Sequence, residues 1–178
     1  LLRQEARDAF VAMVTTARRQ GLTIIAVSTY RSFLDQAKEY NEDIRQLGEA
    51  QADRQVAFPG RSEHQLGTAV DLSSPGVGDQ LGDNIDKHPE GAWLQVHAAE
   101  FGFVQSYPAG KEGSTGYQYE PWHYRYVGIH AARFIVLSGK TSTEVLRAYQ
   151  RVGDDLPLAR PTLSAGGCRG PGPVETGC

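Results

Sequence analysis

Residues 62–71 read Ser62-Glu63-His64-Gln65-Leu66-Gly67-Thr68-Ala69-Val70-Asp71, and the way this stretch must fold constrains everything around it. It sets an imidazole and a carboxylate seven positions apart. If both bind one metal ion, each donor atom lies ~2.0 to 2.2 Å from it, so the donors are only a few ångströms from each other. A continuous helix would hold the two Cα atoms ~10 Å apart at 1.5 Å per residue, too far for a short Asp to recover. A turn must intervene. Gly67 can supply it, because glycine reaches positive φ with no Cβ penalty. Thr68 to Val70 are β-prone, so the chain returns as a strand over Thr68–Leu72 that carries Asp71.

Working outward, apolar residues recur at helical spacing from Arg3 to Gln20, with Ala6, Phe10, Met13, Val14 and Ala17 on one side and Gly21 as a stop. Leu22 to Ser28 is short and β-branched, the pattern of a buried strand, and it delivers Tyr30 and Arg31 at its end. Ser32 is placed to cap a second helix running to Leu47, with Gly48 at its C-terminus, and a short helical piece precedes Phe58. Downstream, Ser73 to Pro89 is rich in Gly, Pro and Asp and reads as loop. Pro89 opens a helix through Phe101, and Gly102 ends it. Phe103 and Val104 begin an extended segment, Ala109 to Gly116 reads as a Gly-rich loop, and Trp122 to Val127 alternates like a strand. Ile129–Leu137 and Ser142–Gln150 read as closing helices, with Ser142 as the cap of the second.

Two units are expected: one domain over residues 1–152 and a Pro/Gly-rich tail over residues 153–178, whose composition cannot build a core. The only two cysteines, Cys168 and Cys178, fall in that tail, where a disulfide could close a small loop. Hydrophobic residues at 40% and charged residues at 22% match a soluble globular domain and exclude a fibrous or wholly disordered chain. A net charge of -3 supplies no basic field, so nucleic acid is not the expected partner. No apolar run approaches the ~20 residues of a membrane span. The first residue is Leu1 and not Met, so any signal peptide or membrane anchor is expected to have been removed or to lie upstream.

About fifty residues after Asp71 comes Glu120-Pro121-Trp122-His123. His123 offers a third ligand, and three protein ligands with one open position is the arrangement of a catalytic zinc site. Glu120 beside an open position could move a proton between water and a leaving amine. Pro121 stiffens the chain between them. Arg31, at the mouth of a strand, could bind a carboxylate through two hydrogen bonds or stabilise an oxyanion. Each piece also has a plain structural alternative. Arg31 could serve only in an ion pair, Ser62 only as a turn or cap residue, Asp71 only as a turn residue, and Trp122 only in the core. His88, His97 and His130 have no such company and read as ordinary histidines.

Taken together, several segments resemble the VanY-type D-alanyl-D-alanine carboxypeptidases, within the wider lysostaphin, D-Ala-D-Ala metallopeptidase and hedgehog-like zinc group. They are Tyr30-Arg31-Ser32 with Gln36, Ser62 to Asp71, and the span Gly102 to Gly128 with Tyr107-Pro108, Gly110-Lys111-Glu112, Thr115-Gly116-Tyr117 and Glu120 to Tyr126. The resemblance covers roughly Leu2 to Tyr149. It implies an α+β fold in which a small, mainly antiparallel sheet carries one zinc ion and helices flank it. It implies His64, Asp71 and His123 as metal ligands, Glu120 as catalytic base, and Arg31 as the arginine that contacts substrate. Ser62, Gln36 and Trp122 fall at positions that help form the substrate pocket.

The implied substrate is a peptidoglycan stem peptide or precursor ending in D-alanine, D,D or L,D, with an extracytoplasmic site of action and a monomer as the expected state. A peptidoglycan endopeptidase is the first alternative, and a noncatalytic zinc-bound binding module the second. The sequence departs from its relatives at Thr29, where glycine is usual, and at Ser106, where arginine is common.

Overall fold

A computed structural model of the protein describes residues 1–77 and 84–155. The expected tail and its two cysteines lie outside the described residues, except that the last helix runs on to Asp155. The chain opens with helix α1 (Gln4–Arg19), which buries Ala6, Met13 and Ala17. Strand β1 (Ile25–Ser28) follows, then helix α2 (Phe33–Leu47), capped as expected by Ser32, whose hydroxyl oxygen accepts from the Asp35 amide. Helix α3 (Glu49–Gln55) leads to a single 3-10 turn at Glu63–Leu66, and Gly67 closes that turn at φ 68°. Strand β2 (Ala69–Ser73) follows immediately. The turn and strand read from residues 62–71 are both present.

Helix α4 (Pro89–His97) starts at its proline but stops short of Phe101, because the chain tightens into a 3-10 turn at Ala98–Phe101 before Gly102. Gly91 in that helix is obligatory. A Cβ there would stand 2.1 Å from the Ile85 carbonyl oxygen, well inside contact distance. Strand β3 (Phe103–Gln105), a short helix α5 (Glu112–Thr115) inside the expected Gly-rich loop, and strand β4 (His123–Tyr126) come next. Helices α6 (Ile129–Ser138) and α7 (Ser142–Asp155) close the described chain. The cap of α7 is Thr141 and not Ser142. The Glu144 amide donates to the Thr141 hydroxyl while the Thr141 amide donates to the Glu144 carboxylate, a reciprocal capping box that Ser142, one residue later, is out of register to make.

The four strands form one antiparallel sheet in the order β1-β2-β4-β3. With its helices this is the α+β architecture expected. Alternation separates the two faces of the sheet. Val70, Leu72 and Tyr124 point into a core shared with Met13, Ile24, Trp93, Leu94 and Phe103. Asp71 and His123 are directly paired across β2 and β4, and Ser28 pairs with Asp71 from β1. A register shift between Ala26 and Ser28 places Ser28, and not Val27, opposite Asp71. These three polar residues therefore leave the sheet side by side on the same face. A second cluster of Tyr40, Ala52 and Val56 packs α2 against α3. Among the described residues, no helix is long and apolar enough to cross a membrane.

Candidate metal centre

On the polar face of the sheet, His64, Asp71 and His123 are all buried, and one ligand atom from each lies within 4.8 Å of the others. His64 Nε2 stands 3.1 Å from Asp71 Oδ2, and His123 Nδ1 stands 3.1 Å from Asp71 Oδ1. Donors on neighbouring corners of a tetrahedral zinc site are about 3.4 Å apart, from bond lengths near 2.1 Å. The fit is close. It is supported by an orphaned atom: Asp71 Oδ1 is buried and has no assigned hydrogen-bond partner among the described residues, although His123 Nδ1 stands 3.1 Å away. A buried carboxylate whose two oxygens each face an imidazole nitrogen is a set that a divalent cation satisfies.

Each ring presents its inward nitrogen because the outward one is held. His64 Nδ1–H donates to the Thr29 carbonyl oxygen, which leaves Nε2 as the inward acceptor. His123 Nε2–H donates to Glu63 Oε2 at 3.1 Å, which leaves Nδ1 inward. Glu63 also accepts from Ser106 Oγ at 2.6 Å and from Arg125 Nη1 at 2.8 Å. The two rings meet edge to face with centroids 4.9 Å apart.

The charges are strongly coupled. Burial raises the Asp71 carboxyl, but the His123 and His64 rings beside it outweigh that and hold the group well below the ordinary carboxylate range. Glu63 behaves alike, burial being overcome by His123, Arg125 and Ser106, and settles at about 2. Burial lowers the His123 imidazolium, yet Asp71 and Glu63 together lift it to about 10.

Glu120 reaches the same place by a different element. Its carbonyl accepts from the His123 amide at 3.3 Å, closing a four-residue turn with Pro121 at the second position, where its fixed φ suits the turn. Gln105 Nε2 donates to the same carbonyl, and the Glu120 amide donates to Tyr107. The turn sets Glu120 Oε2 3.4 Å from His123 Nδ1. Burial is the main cause that pushes its carboxyl up to about 7, with Asp71 and Glu63 adding to it against His123 and Arg31. A carboxyl near 7 can both take and give a proton at neutral pH.

Arg31 follows β1, and its amide donates to the His64 carbonyl. Its guanidinium pairs with Glu39 at 2.8 Å and donates to Gln36 Oε1 at 3.1 Å and Ser28 Oγ at 3.4 Å. Gln36 is fully buried and anchored by its own bond to the Ala57 carbonyl. Arg31 is thus an ion-pair partner of Glu39 and also lines the cleft. All eight residues singled out from the sequence (Arg31, Gln36, Ser62, His64, Asp71, Glu120, Trp122 and His123) line one cleft of about 130 Å³. Ser62 makes no side-chain cap to the 3-10 turn, and Trp122 lies at the cleft wall while packing partly on the core.

Sequence reasoning missed Glu63, Glu39 and Tyr107. Glu63 had a signal, being a carboxylate adjacent to a ligand within the densest cluster of the chain. Tyr107, whose ring lies 4.8 Å from that of His123, had none beyond its place in the family segment.

Comparison with known proteins adds a family. The model of VanY, D-alanyl-D-alanine carboxypeptidase, matches residues 1–129. A curated relative named "Putative carboxypeptidase YodJ", from Bacillus subtilis (strain 168), is 39% identical over 151 residues, covering 85% of this chain and 55% of that protein. A solved structure of the LD-carboxypeptidase LdcB is 40% identical with a TM-score of 0.78, over 82% of this chain and 68% of that one. A zinc-bound mutant of the vancomycin-resistance D,D-pentapeptidase VanY, from a VanB-type cassette, is 34% identical with a TM-score of 0.71, over 82% of this chain and 83% of that one. The chain spans about half the length of the curated relatives it matches.

Proposed function

We propose, from the premise that this chain belongs to the VanY D-alanyl-D-alanine carboxypeptidase family, that it is a zinc-dependent carboxypeptidase removing the terminal D-alanine of peptidoglycan stem peptides. One observation carries the reading: three buried ligand atoms within 4.8 Å, an orphaned Asp71 oxygen among them, with Glu120 3.4 Å from the third ligand. His64 Nε2, Asp71 and His123 Nδ1 would hold one zinc ion, which supplies a Lewis acid for the scissile carbonyl.

The chain's own groups then divide the work. Glu120 Oε2 takes a proton from the attacking water and returns it to the leaving amine nitrogen, a role that suits a carboxyl raised to about 7. Arg31 presents N–H groups to the free carboxylate of the substrate or to the oxygen on which charge develops, and Glu39, Gln36 and Ser28 fix its fork. Gln36, Ser62 and Trp122 shape the walls against which the peptide is oriented. Such a substrate puts the site of action outside the cytoplasm.

The likeness takes in both an LD-carboxypeptidase and a D,D-pentapeptidase, so the centre preceding the terminal D-alanine is the point to be measured. Purified protein incubated with pentapeptide, tetrapeptide and cross-linked muropeptides, with and without a chelator, is expected to release one D-alanine by mass in the metal-loaded arm only. Release from pentapeptide marks D,D action and from tetrapeptide L,D action. Internal cleavage alone, or full activity after metal removal, would overturn the carboxypeptidase reading. Binding with no cleavage would make the chain a recognition module, a use for which a base beside the metal centre has no evident need.

A further inference from the structure

We propose that Glu63 is a positioning residue for the metal centre: it holds the His123 ring with its proton on Nε2, so that Nδ1 remains the ligand face. The inference rests on the metal reading above. Three donors converge on this one carboxylate, one from just after β3 and two from β4. Ser106 Oγ and His123 Nε2 both donate to Oε2, at 2.6 and 3.1 Å, while Arg125 Nη1 donates to Oε1 at 2.8 Å. The Glu63 side chain is 12% exposed, so these bonds are little contested by water.

A neutral imidazole carries one proton, and the partner on each side decides where it rests. On the inward side, His123 Nδ1 stands 3.1 Å from Asp71 Oδ1, itself a strong acceptor. Asp71 alone would draw the proton to Nδ1, where it would occupy the position of the metal. Glu63 is the competing acceptor on the outer side. Its bonds from Arg125 and Ser106 fix its orientation, and with it the direction of the Nε2–H bond and of the Nδ1 face. Outer carboxylates of this kind orient the ring and raise its basicity as a ligand. The sequence economy is notable in one respect only: Glu63 and His64 are neighbours on one 3-10 turn, so a single turn delivers one ligand and the support of another sixty residues away. Ser106 enters the network in a fully buried position.

The test is zinc affinity, by competition with a chromophoric chelator, for the wild type, Glu63→Ala and Glu63→Gln, with side-chain 1H–15N spectra of the zinc-loaded proteins. Glu63→Ala is expected to weaken zinc about 10- to 100-fold. Glu63→Gln, which keeps an oxygen acceptor and the shape, is expected to weaken it less, and it decides the matter where the alanine variant does not fold. The wild-type spectrum is expected to show the His123 proton on Nε2 and metal on Nδ1. A carboxylate that matters only to folding would lower the melting temperature of the chelated protein and leave the zinc Kd within about twofold. That result, or a wild-type proton on Nδ1, overturns the proposal while leaving the metal site standing. A wild type that takes up no zinc instead overturns the metal reading, and this inference with it.

Discussion

The two histidines of the cleft arrive by opposite means. His64 rides a 3-10 turn and is held from behind by a main-chain carbonyl, that of Thr29, while its own carbonyl accepts from the Arg31 amide. His123 rides a strand, paired directly with Asp71, and is held from behind by the Glu63 side chain. Backbone support is proof against substitution and invisible in a sequence. Side-chain support is visible and breakable. The chemistry divides along the same line. The His64 arm is joined to Arg31, which would grip substrate, and the His123 arm is joined through the Pro121 turn to Glu120, which would move the proton.

The largest effects come from breaking the His123 arm. His123→Ala removes one of three ligands and is expected to abolish both zinc uptake and turnover, measured by metal analysis of the dialysed protein and by D-alanine release. Glu120→Ala should separate the two properties, retaining one zinc per chain while kcat falls ~10²- to 10⁴-fold. Equal hydrolysis by the Glu120 variant would end the proton-transfer role. A loss of zinc in that variant would show that the two arms are not chemically distinct.

Breaking the other arm should read out differently. Losing a hydrogen bond to a charged group costs about 1.5 to 3 kcal/mol, roughly ten- to hundredfold. Arg31→Ala is therefore expected to raise KM by about that factor if the guanidinium holds the ground-state carboxylate. A fall in kcat with KM unchanged would instead assign Arg31 to the developing oxyanion.

The difference between the arms also explains how much could be read in advance. Gly67 announced the turn and Thr68–Val70 the strand, because glycine and β-branched residues act locally, and both were found where expected. His64, Asp71 and His123 were legible by residue type and company. The support behind them was not, since the Glu63 bonds to His123 and Arg125 depend on which residue of β2 faces which residue of β4, a matter of long-range register. Local competition also hid details. Thr141 captures the α7 cap from Ser142 through its bond with Glu144, and Gly102 ends the segment after α4 only once a 3-10 turn has replaced the last helical residues.

A smaller effect should appear as pH dependence of the metal-free fold. His123 is raised in the folded state to about 10, so its contribution is complete below its unfolded pKa near 6.5 and is lost as pH rises towards 10. Glu120, raised to about 7, loses its contribution between about 4.5 and 7. Glu63, depressed to about 2, contributes above about 4.5 and loses that contribution as pH falls towards 2. The chelated protein should thus melt highest near pH 4.5 to 5 and less well on either side. With zinc bound, His123 Nδ1 carries the metal and not a proton, so the decline above pH 6.5 should disappear. A melting temperature that falls identically with and without zinc over pH 7 to 10 would mean that His123 is not a ligand.

The smallest effect tests the backbone-held arm. The part of Thr29 in the site is its carbonyl oxygen, which any residue supplies. Thr29→Ala keeps that carbonyl and is expected to change the zinc Kd by less than about threefold, against the 10- to 100-fold expected for Glu63→Ala. Chelator competition measures both on one scale. A Thr29→Ala loss as large as that of Glu63→Ala would mean that the threonine side chain, and not the main chain, sets the His64 ring, and the contrast between the two arms would then fail.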